Sequence, residues 1–133
     1  MVPTSETPTR VSDFVPDCAE ILNLSSRYGQ HFESLNKSEK YALIAALAIE
    51  AGSWASGNPF APFLPTVVAA MGAQVDPENR DHMHSIDLLQ SELDRLQHIA
   101  GNIQEIDESQ QQRLICALAA QLVAGYFKPD PIR

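Results

Sequence analysis

The feature that most constrains the fold is a segment that recurs further along the chain. Residues 35–50, LNKSEKYALIAALAIE, align without gaps on residues 106–121, IDESQQQRLICALAAQ. In each copy a helix-capping residue is followed three positions later by Glu or Gln, which is the pattern of a capping box. The rest of each copy is rich in apolar residues, as in a helix that packs among other helices. The recurrence therefore predicts two helices of one design.

The two copies agree in letters, in caps and in the residues that precede them. The identical pairs are Ser38/Ser109, Leu43/Leu114, Ile44/Ile115, Ala46/Ala117, Leu47/Leu118 and Ala48/Ala119. The upstream apolar residues that match in spacing are Cys18/Leu89, Leu22/Leu93, Phe32/Ile103 and Leu35/Ile106. We therefore predict two helical hairpins related by an approximate twofold, with a groove between them. The alternative is that helices rich in alanine and leucine resemble each other through composition alone.

Apolar residues recur at helical spacing elsewhere in the chain as well. A first helix is expected over 12–35, with Pro16 tolerated in its opening turn. The helix over 41–51 is almost wholly apolar, which predicts a position inside the bundle, and Gly52 is expected to end it.

Turn and capping signals place the remaining helices. A short helix is expected to begin near Pro65, a long one to begin at Asp76 and reach Ile103, and the last one to end near Gly125. No segment alternates with period two for long enough to form a strand. The predicted fold is therefore all-α, a compact bundle of about five helices built as two pseudo-repeated hairpins. A disordered tail over residues 1–11 is expected to precede a single domain over 12–133.

Charge and cysteine content point to a cytoplasmic protein without nucleic-acid partners. The chain has 9 Lys and Arg against 17 Asp and Glu, and a net charge of −8 repels phosphate backbones. Cys18 and Cys116 lie among apolar residues at helical spacing, so we predict two reduced core residues, with a disulfide as the alternative. The N-terminal residues show no signal-peptide pattern.

The stretch over residues 51–75 carries no charge and is long enough to cross a bilayer. Its prolines and glycines would interrupt any continuous helix, so no membrane span is predicted. We interpret its first part as a loop that faces the interior or a partner. The partner-binding residues expected there are Trp54, Phe60, Phe63 and Leu64.

The residues that could support chemistry do not form a recognisable active site. His82 and His84 are two positions apart, and on a helix such residues point to different sides, so no metal site is predicted. Glu50 lies in an apolar helix, where an interhelical hydrogen bond is its expected role. The chain has no glycine-rich phosphate loop and no readable nucleophile. We therefore predict no catalytic residues and no enzyme.

Two groups of residues carry a family resemblance. The first is Phe32, Leu35, Asn36, Glu39, Ala42, Leu43, Ile44, Glu50 and Gly52. The second is Leu118, Gly125, Tyr126, Pro129 and Pro131. In these residues the sequence resembles the N-terminal helical domain of the orange carotenoid protein and the helical carotenoid proteins of cyanobacteria. The resemblance spans about Phe14 to Pro131, although only two helices carry recognisable letters.

This resemblance implies a groove that holds a ketocarotenoid, in a protein of photoprotection or pigment handling. The implied ligand-binding residues are Ile44, Ala45, Ala48, Ile115, Cys116 and Leu122. The sequence departs from the family where flat rings are expected against the pigment. Alanines stand at the two aromatic positions of the second helix, and Ile115 and Cys116 replace the aromatic pair of the last one.

Two functions are therefore expected, neither of them enzymatic. The first is a helical binding protein for an apolar pigment, as the resemblance implies. The second is a protein-interaction or assembly module without pigment, which would use the loop from Trp54 to Pro65, with a homodimer as one form.

Overall fold

The computed structural model describes residues 8–16, 18–57, 64–65, 67–68, 88–104 and 106–129. The helices of these ranges are α1 (Val11–Phe14), α2 (Ala19–Tyr28), α3 (Lys37–Ala55), α4 (Gln90–Ile103) and α5 (Glu108–Ala124). No strand occurs within them, and one isolated bridge joins Asn36 to Lys128. The predicted all-α class is confirmed. No helix in the described ranges is long and apolar enough to cross a bilayer.

The two longest helices form the centre of the bundle. Helix α3 contacts α5 and α4, α2 contacts α4, and α1 contacts both α2 and α5. Leu43 and Leu47 of α3 and their repeat counterparts Leu114 and Leu118 of α5 are all fully buried. The leucines shared by the two copies thus build the common core.

The contact between α2 and α4 combines a ring pair with a hydrogen bond. The Tyr28 hydroxyl lies 3.0 Å from Nδ1 of His98, and the two ring centroids are 5.9 Å apart. Nε2 of His98 lies 3.4 Å from Nη1 of Arg27, which can only donate. His98 of α4 is therefore held against α2.

The single first helix predicted over 12–35 is divided into α1 and α2. Val15 has φ −127° and ψ 73°, outside the helical region, because a residue that precedes proline is disfavoured there. Helix α2 ends at Gly29, with φ +99°, and Phe32 also has a positive φ of 48°. Phe32 and Leu35 are nevertheless fully buried. The apolar spacing thus predicted correctly that Phe32 and Leu35 are buried, but both residues belong to a loop and not to a helix.

Helix α3 is not enclosed by the bundle on all sides, which corrects the prediction. Tyr41 is 48% exposed and Ile49 is 49% exposed. The helix also continues to Ala55 instead of ending at Gly52, where a Cβ would meet no neighbouring atom. One side of α3 therefore faces solvent.

The two predicted capping boxes are confirmed. At the start of α3 the Asn36 backbone N–H donates to Glu39 Oε1 at 3.0 Å, and the Glu39 N–H donates to Asn36 Oδ1 at 2.8 Å. At the start of α5, Asp107 and Gln110 exchange the same two bonds at 3.2 and 2.8 Å. Gly125 follows α5 with φ +89°, the left-handed conformation that glycine tolerates best.

Both cysteines are free thiols, but only one is a core residue. Cys18 is buried, and burial raises the pKa of its thiol. Cys116 is exposed on α5, so its predicted core position is wrong.

Several predictions lie wholly or partly outside the described residues. These are residues 1–7 of the predicted tail, the helix start at Asp76, and the pair His82 and His84. Near Pro65 the described residues 64, 65, 67 and 68 are helical, as expected there. Thr9 and the start of α1 are also described, and the Thr9 carbonyl accepts a 2.8 Å bond from Gln121 Nε2.

Candidate binding surface on helices α3 and α5

Two interhelical contacts join α3 and α5 at opposite ends. Lys40 Nζ donates to Gln121 Oε1 at 2.8 Å. The Gln111 side chain hydrogen-bonds to the Glu50 carboxylate. In the repeat alignment Lys40 corresponds to Gln111 and Glu50 to Gln121, so each contact is the counterpart of the other. The helices therefore run antiparallel about an approximate twofold, as the repeat predicts.

Lys40 is a completely buried cation at one of these contacts. Besides Gln121, its Nζ donates to the His31 carbonyl at 2.7 Å and to the Tyr126 carbonyl. These acceptors come from the loop before α3, from α5 and from the segment after it. Burial lowers the pKa of Lys40 to about 8. The lysine thus ties three parts of the chain together, a role that its place in a capping segment did not reveal.

Glu50 marks the other contact and is also buried. Burial raises the pKa of its carboxyl group, while bonds from Gln111 and from the Leu64 backbone N–H act in the opposite direction. The predicted interhelical hydrogen bond of Glu50 is confirmed. One donor lies on the facing helix α5, and the other follows α3 in the chain. Glu50 therefore has a structural role, and neither of these two partners is an ionisable group with which it could exchange a proton.

A buried polar cluster connects the start of α3 to α4. Arg95 Nε donates to Glu39 Oε2 at 2.6 Å, and Asn36 Nδ2 donates to Glu92. Both carboxylates are fully buried, and Glu39 with Glu92 raises the pKa of Arg95. The sequence predicted the cap but not the roles of Glu92 and Arg95, because the partner of each lies 56 residues away along the chain.

The outward sides of α3 and α5 form what we call the outer face. Its members are Tyr41, Ile44, Ala45, Ala48, Ile49 and Gly52 on α3 and Ile115, Cys116, Ala119, Leu122 and Val123 on α5. Every one of them is at least partly exposed, and Val123 is 91% exposed. None is charged. An apolar surface of this kind on a strongly acidic protein is a candidate binding surface.

The six residues that the resemblance implies as ligand-binding all belong to the outer face. Ala48 and Cys116 are exposed, and Ala45 and Leu122 are partly buried. Ile44 and Ile115, which are repeat counterparts, pack against the core from its edge. The structure therefore brings the six together on one pair of adjacent helices, as open surface and not as the wall of a closed slot.

Charged residues lie at the two ends of this helix pair. Lys37 and Lys128 are exposed at the start of α3, where the Lys128 N–H bonds the Leu35 carbonyl at 2.9 Å. Asp107 and Glu108 are exposed at the start of α5. Because the helices are antiparallel, the outer face has a basic end and an acidic end.

The predicted partner loop has a different outcome. Phe60 and Phe63 lie outside the described residues, as does the side chain of Trp54. Leu64 is fully buried in the core, so it cannot contact a partner, which corrects that prediction. In the described part of the chain no cluster of three or more His, Cys, Asp or Glu could hold a metal ion.

Comparison of the chain with protein-family models, with curated proteins and with solved structures finds no match. The contacts and the outer face are therefore the basis for a functional proposal.

Proposed function

We propose that the chain is a non-enzymatic helical binding protein that holds an apolar ligand on the outer face. The observation that supports this most directly is the outer face itself, an uncharged surface on a chain with a net charge of −8. Burial of apolar area contributes roughly 25 cal/mol for each Å² removed from water, so this surface gains from being covered. The polar clusters beneath it are internally paired and need no ligand.

The ligand class follows from the family resemblance. A ketocarotenoid is an apolar rod. The outer-face residues of α3 and α5 form two apolar stripes side by side, and a rod covers such stripes more completely than a compact ligand does. Alanines at positions 45 and 48 offer no rings for stacking. Their absence removes a contribution of about 0.5–1.5 kcal/mol for each aromatic pair. We therefore expect pigment binding that depends on buried area. A cytoplasmic role in photoprotection or pigment handling stays a prediction.

A second candidate function is recognition of another protein through the same outer face. The large exposed side chains of Tyr41, Ile49 and Val123 favour it, since such residues are enriched where proteins meet. This candidate uses the outer face instead of the loop from Trp54 to Pro65, because Leu64 of that loop is buried.

Pigment uptake tests the first candidate. The protein is expressed in a carotenoid-producing host and separately mixed with a ketocarotenoid, and its visible absorption is recorded after gel filtration. We expect a red-shifted band that elutes with the protein. Ala48→Glu should abolish it, because a carboxylate at the centre of the outer face would be desolvated. Asn23→Glu, which adds the same charge at an exposed site of α2, should leave it unchanged.

A gain-of-function variant sharpens the same experiment. Ala45→Trp combined with Ala48→Tyr places rings where the resemblance expects them, and tighter pigment binding should result. A colourless wild type together with a colourless double variant would eliminate the pigment and leave a protein as the ligand.

A further inference from the structure

The exposed large hydrophobic residues are concentrated on helices α3 and α5 and the segment just after α5. Among the described residues they are Leu22, Tyr41, Ile49, Val123 and Tyr126, and all but Leu22 lie on α3, on α5 or just after α5. Between them the side chains are small, with Ala45 and Ala48 on α3 and Ala119 on α5. Small residues allow the helices of a partner to approach closely.

The charges at the ends of the outer face specify which partner fits. Lys37 and Lys128 lie at one end of the α3–α5 pair, and Asp107 and Glu108 lie at the other. A second copy, turned by a twofold axis perpendicular to these helices, presents its acidic end to the basic end of the first. The same rotation pairs the remaining two ends.

We propose that the outer face joins two copies of this chain in an antiparallel, twofold-symmetric dimer. The apolar stripes meet at its centre, and Lys37 and Lys128 of each copy face Asp107 and Glu108 of the other. A net charge of −8 makes two copies repel each other over most of their surfaces. The outer face carries no charged residue, so two copies that meet there bring no like charges together at its centre.

The dimer uses the surface of the proposed function but does not depend on it. A pigment and a second copy would compete for the outer face, since covering it once leaves no room for the other occupant. Self-association of the pigment-free protein is therefore measured first, and pigment uptake is scored separately by absorption.

Sedimentation velocity over a range of protein concentrations tests the dimer. We expect the wild type to pass from monomer to dimer as its concentration rises. Ala48→Glu should remain monomeric, with a dissociation constant raised at least about tenfold. Asn23→Glu, the matched charge on α2, should dimerise like the wild type.

Charge exchange tests the antiparallel arrangement. Lys37→Glu alone and Glu108→Lys alone should each weaken dimerisation about fivefold at low salt, because each creates two like-charge contacts across the twofold. The double variant should restore wild-type affinity, and an equimolar mixture of the two single variants should form a heterodimer. Circular dichroism establishes that every variant remains helical.

Three results would overturn the proposal. The first is a monomeric wild type at every concentration, and the second is an unchanged dimer of Ala48→Glu. The third is failure of the double charge variant to recover, which would exclude the antiparallel pairing. A monomer that takes up ketocarotenoid would overturn the dimer and support the pigment, whereas a colourless dimer would support the dimer and count against the pigment.

Discussion

Helices α3 and α5 have the same design but differ in charge at the two buried positions where their polar side chains contact each other. Their caps, their central leucines and their outward positions correspond through the repeat. Where α3 has the charged residues Lys40 and Glu50, α5 has the neutral amides of Gln111 and Gln121. All four side chains are buried, and each charged one contacts an amide of the other helix. The repeat thus preserves shape and contact but not charge.

The two charges of α3 lie where they interact favourably with the dipole of α5. Lys40 is near the start of its own helix, where the helix dipole disfavours a cation, but it lies beside the end of α5, where a cation is favoured. Glu50 is likewise near the end of α3 and beside the start of α5. The charges of α3 therefore complement the dipole of α5, which favours the antiparallel orientation of the pair.

The largest effect is expected from the removal of the buried cation. Lys40→Met keeps the length of the side chain but leaves three acceptors without their donor, two of them backbone carbonyls. We expect a loss of about 3 kcal/mol in the free energy of unfolding, measured by urea denaturation at pH 7. An unchanged midpoint would show that the three bonds contribute no net stability.

The matched control for that substitution is the residue found at the repeat position. Lys40→Gln makes position 40 the same as position 111 and retains two donor hydrogens. It should therefore lose less stability than the methionine variant. Equal losses would mean that an amide at position 40 cannot replace the lysine in the contact with Gln121.

A smaller effect distinguishes the two caps. Asn36 is 3% exposed and also donates to Glu92, whereas Asp107 is exposed and contacts only its own helix turn in the bonds described. Asn36→Ala should cost about 2 kcal/mol and Asp107→Ala about 1 kcal/mol, both measured by urea denaturation.

Exchange of the two capping residues sharpens this contrast. Asp107→Asn should be nearly neutral, because either residue caps a helix well. Asn36→Asp should be harmful, because it replaces the donor to a buried glutamate with a second carboxylate. If the two exchanges cost the same, the buried surroundings of Asn36 have no influence on its cap.

Local patterns in the sequence predicted most of the fold. The capping boxes, the core leucines and the glycine after α5 are short-range signals, and the structure contains each of them. The repeat also predicted the approximate twofold between α3 and α5, and the position of Glu50 in an apolar helix predicted its interhelical hydrogen bond. These features succeed because each depends on neighbouring residues or on a pattern that occurs twice.

What the sequence did not predict depends on distant partners. Nothing near Lys40 shows that it is buried, because its acceptors come from α5 and the segment after it as well as from the preceding loop. The exposure of Tyr41 on an apolar helix depends on how many neighbours surround α3. The break at Pro16 could have been predicted from the conformational limit on Val15.

The smallest expected effect is on Glu50 and depends on pH. Because burial raises the pKa of Glu50 from 4.5 in the folded chain, its stabilising contribution is complete in acid and is lost as pH rises through the folded pKa. Glu50→Gln, which matches Gln121, keeps an acceptor for Leu64 and cannot ionise. Its free energy of unfolding relative to wild type, measured by urea denaturation, should therefore increase between acid and neutral pH. Asp94→Asn, at an exposed site of α4 outside the outer face, is the control. If the free energies of unfolding of the wild type and of Glu50→Gln change in parallel over that pH range, the charge of Glu50 has no effect on stability. Of the two contacts between α3 and α5, only the one made by Lys40 would then depend on charge.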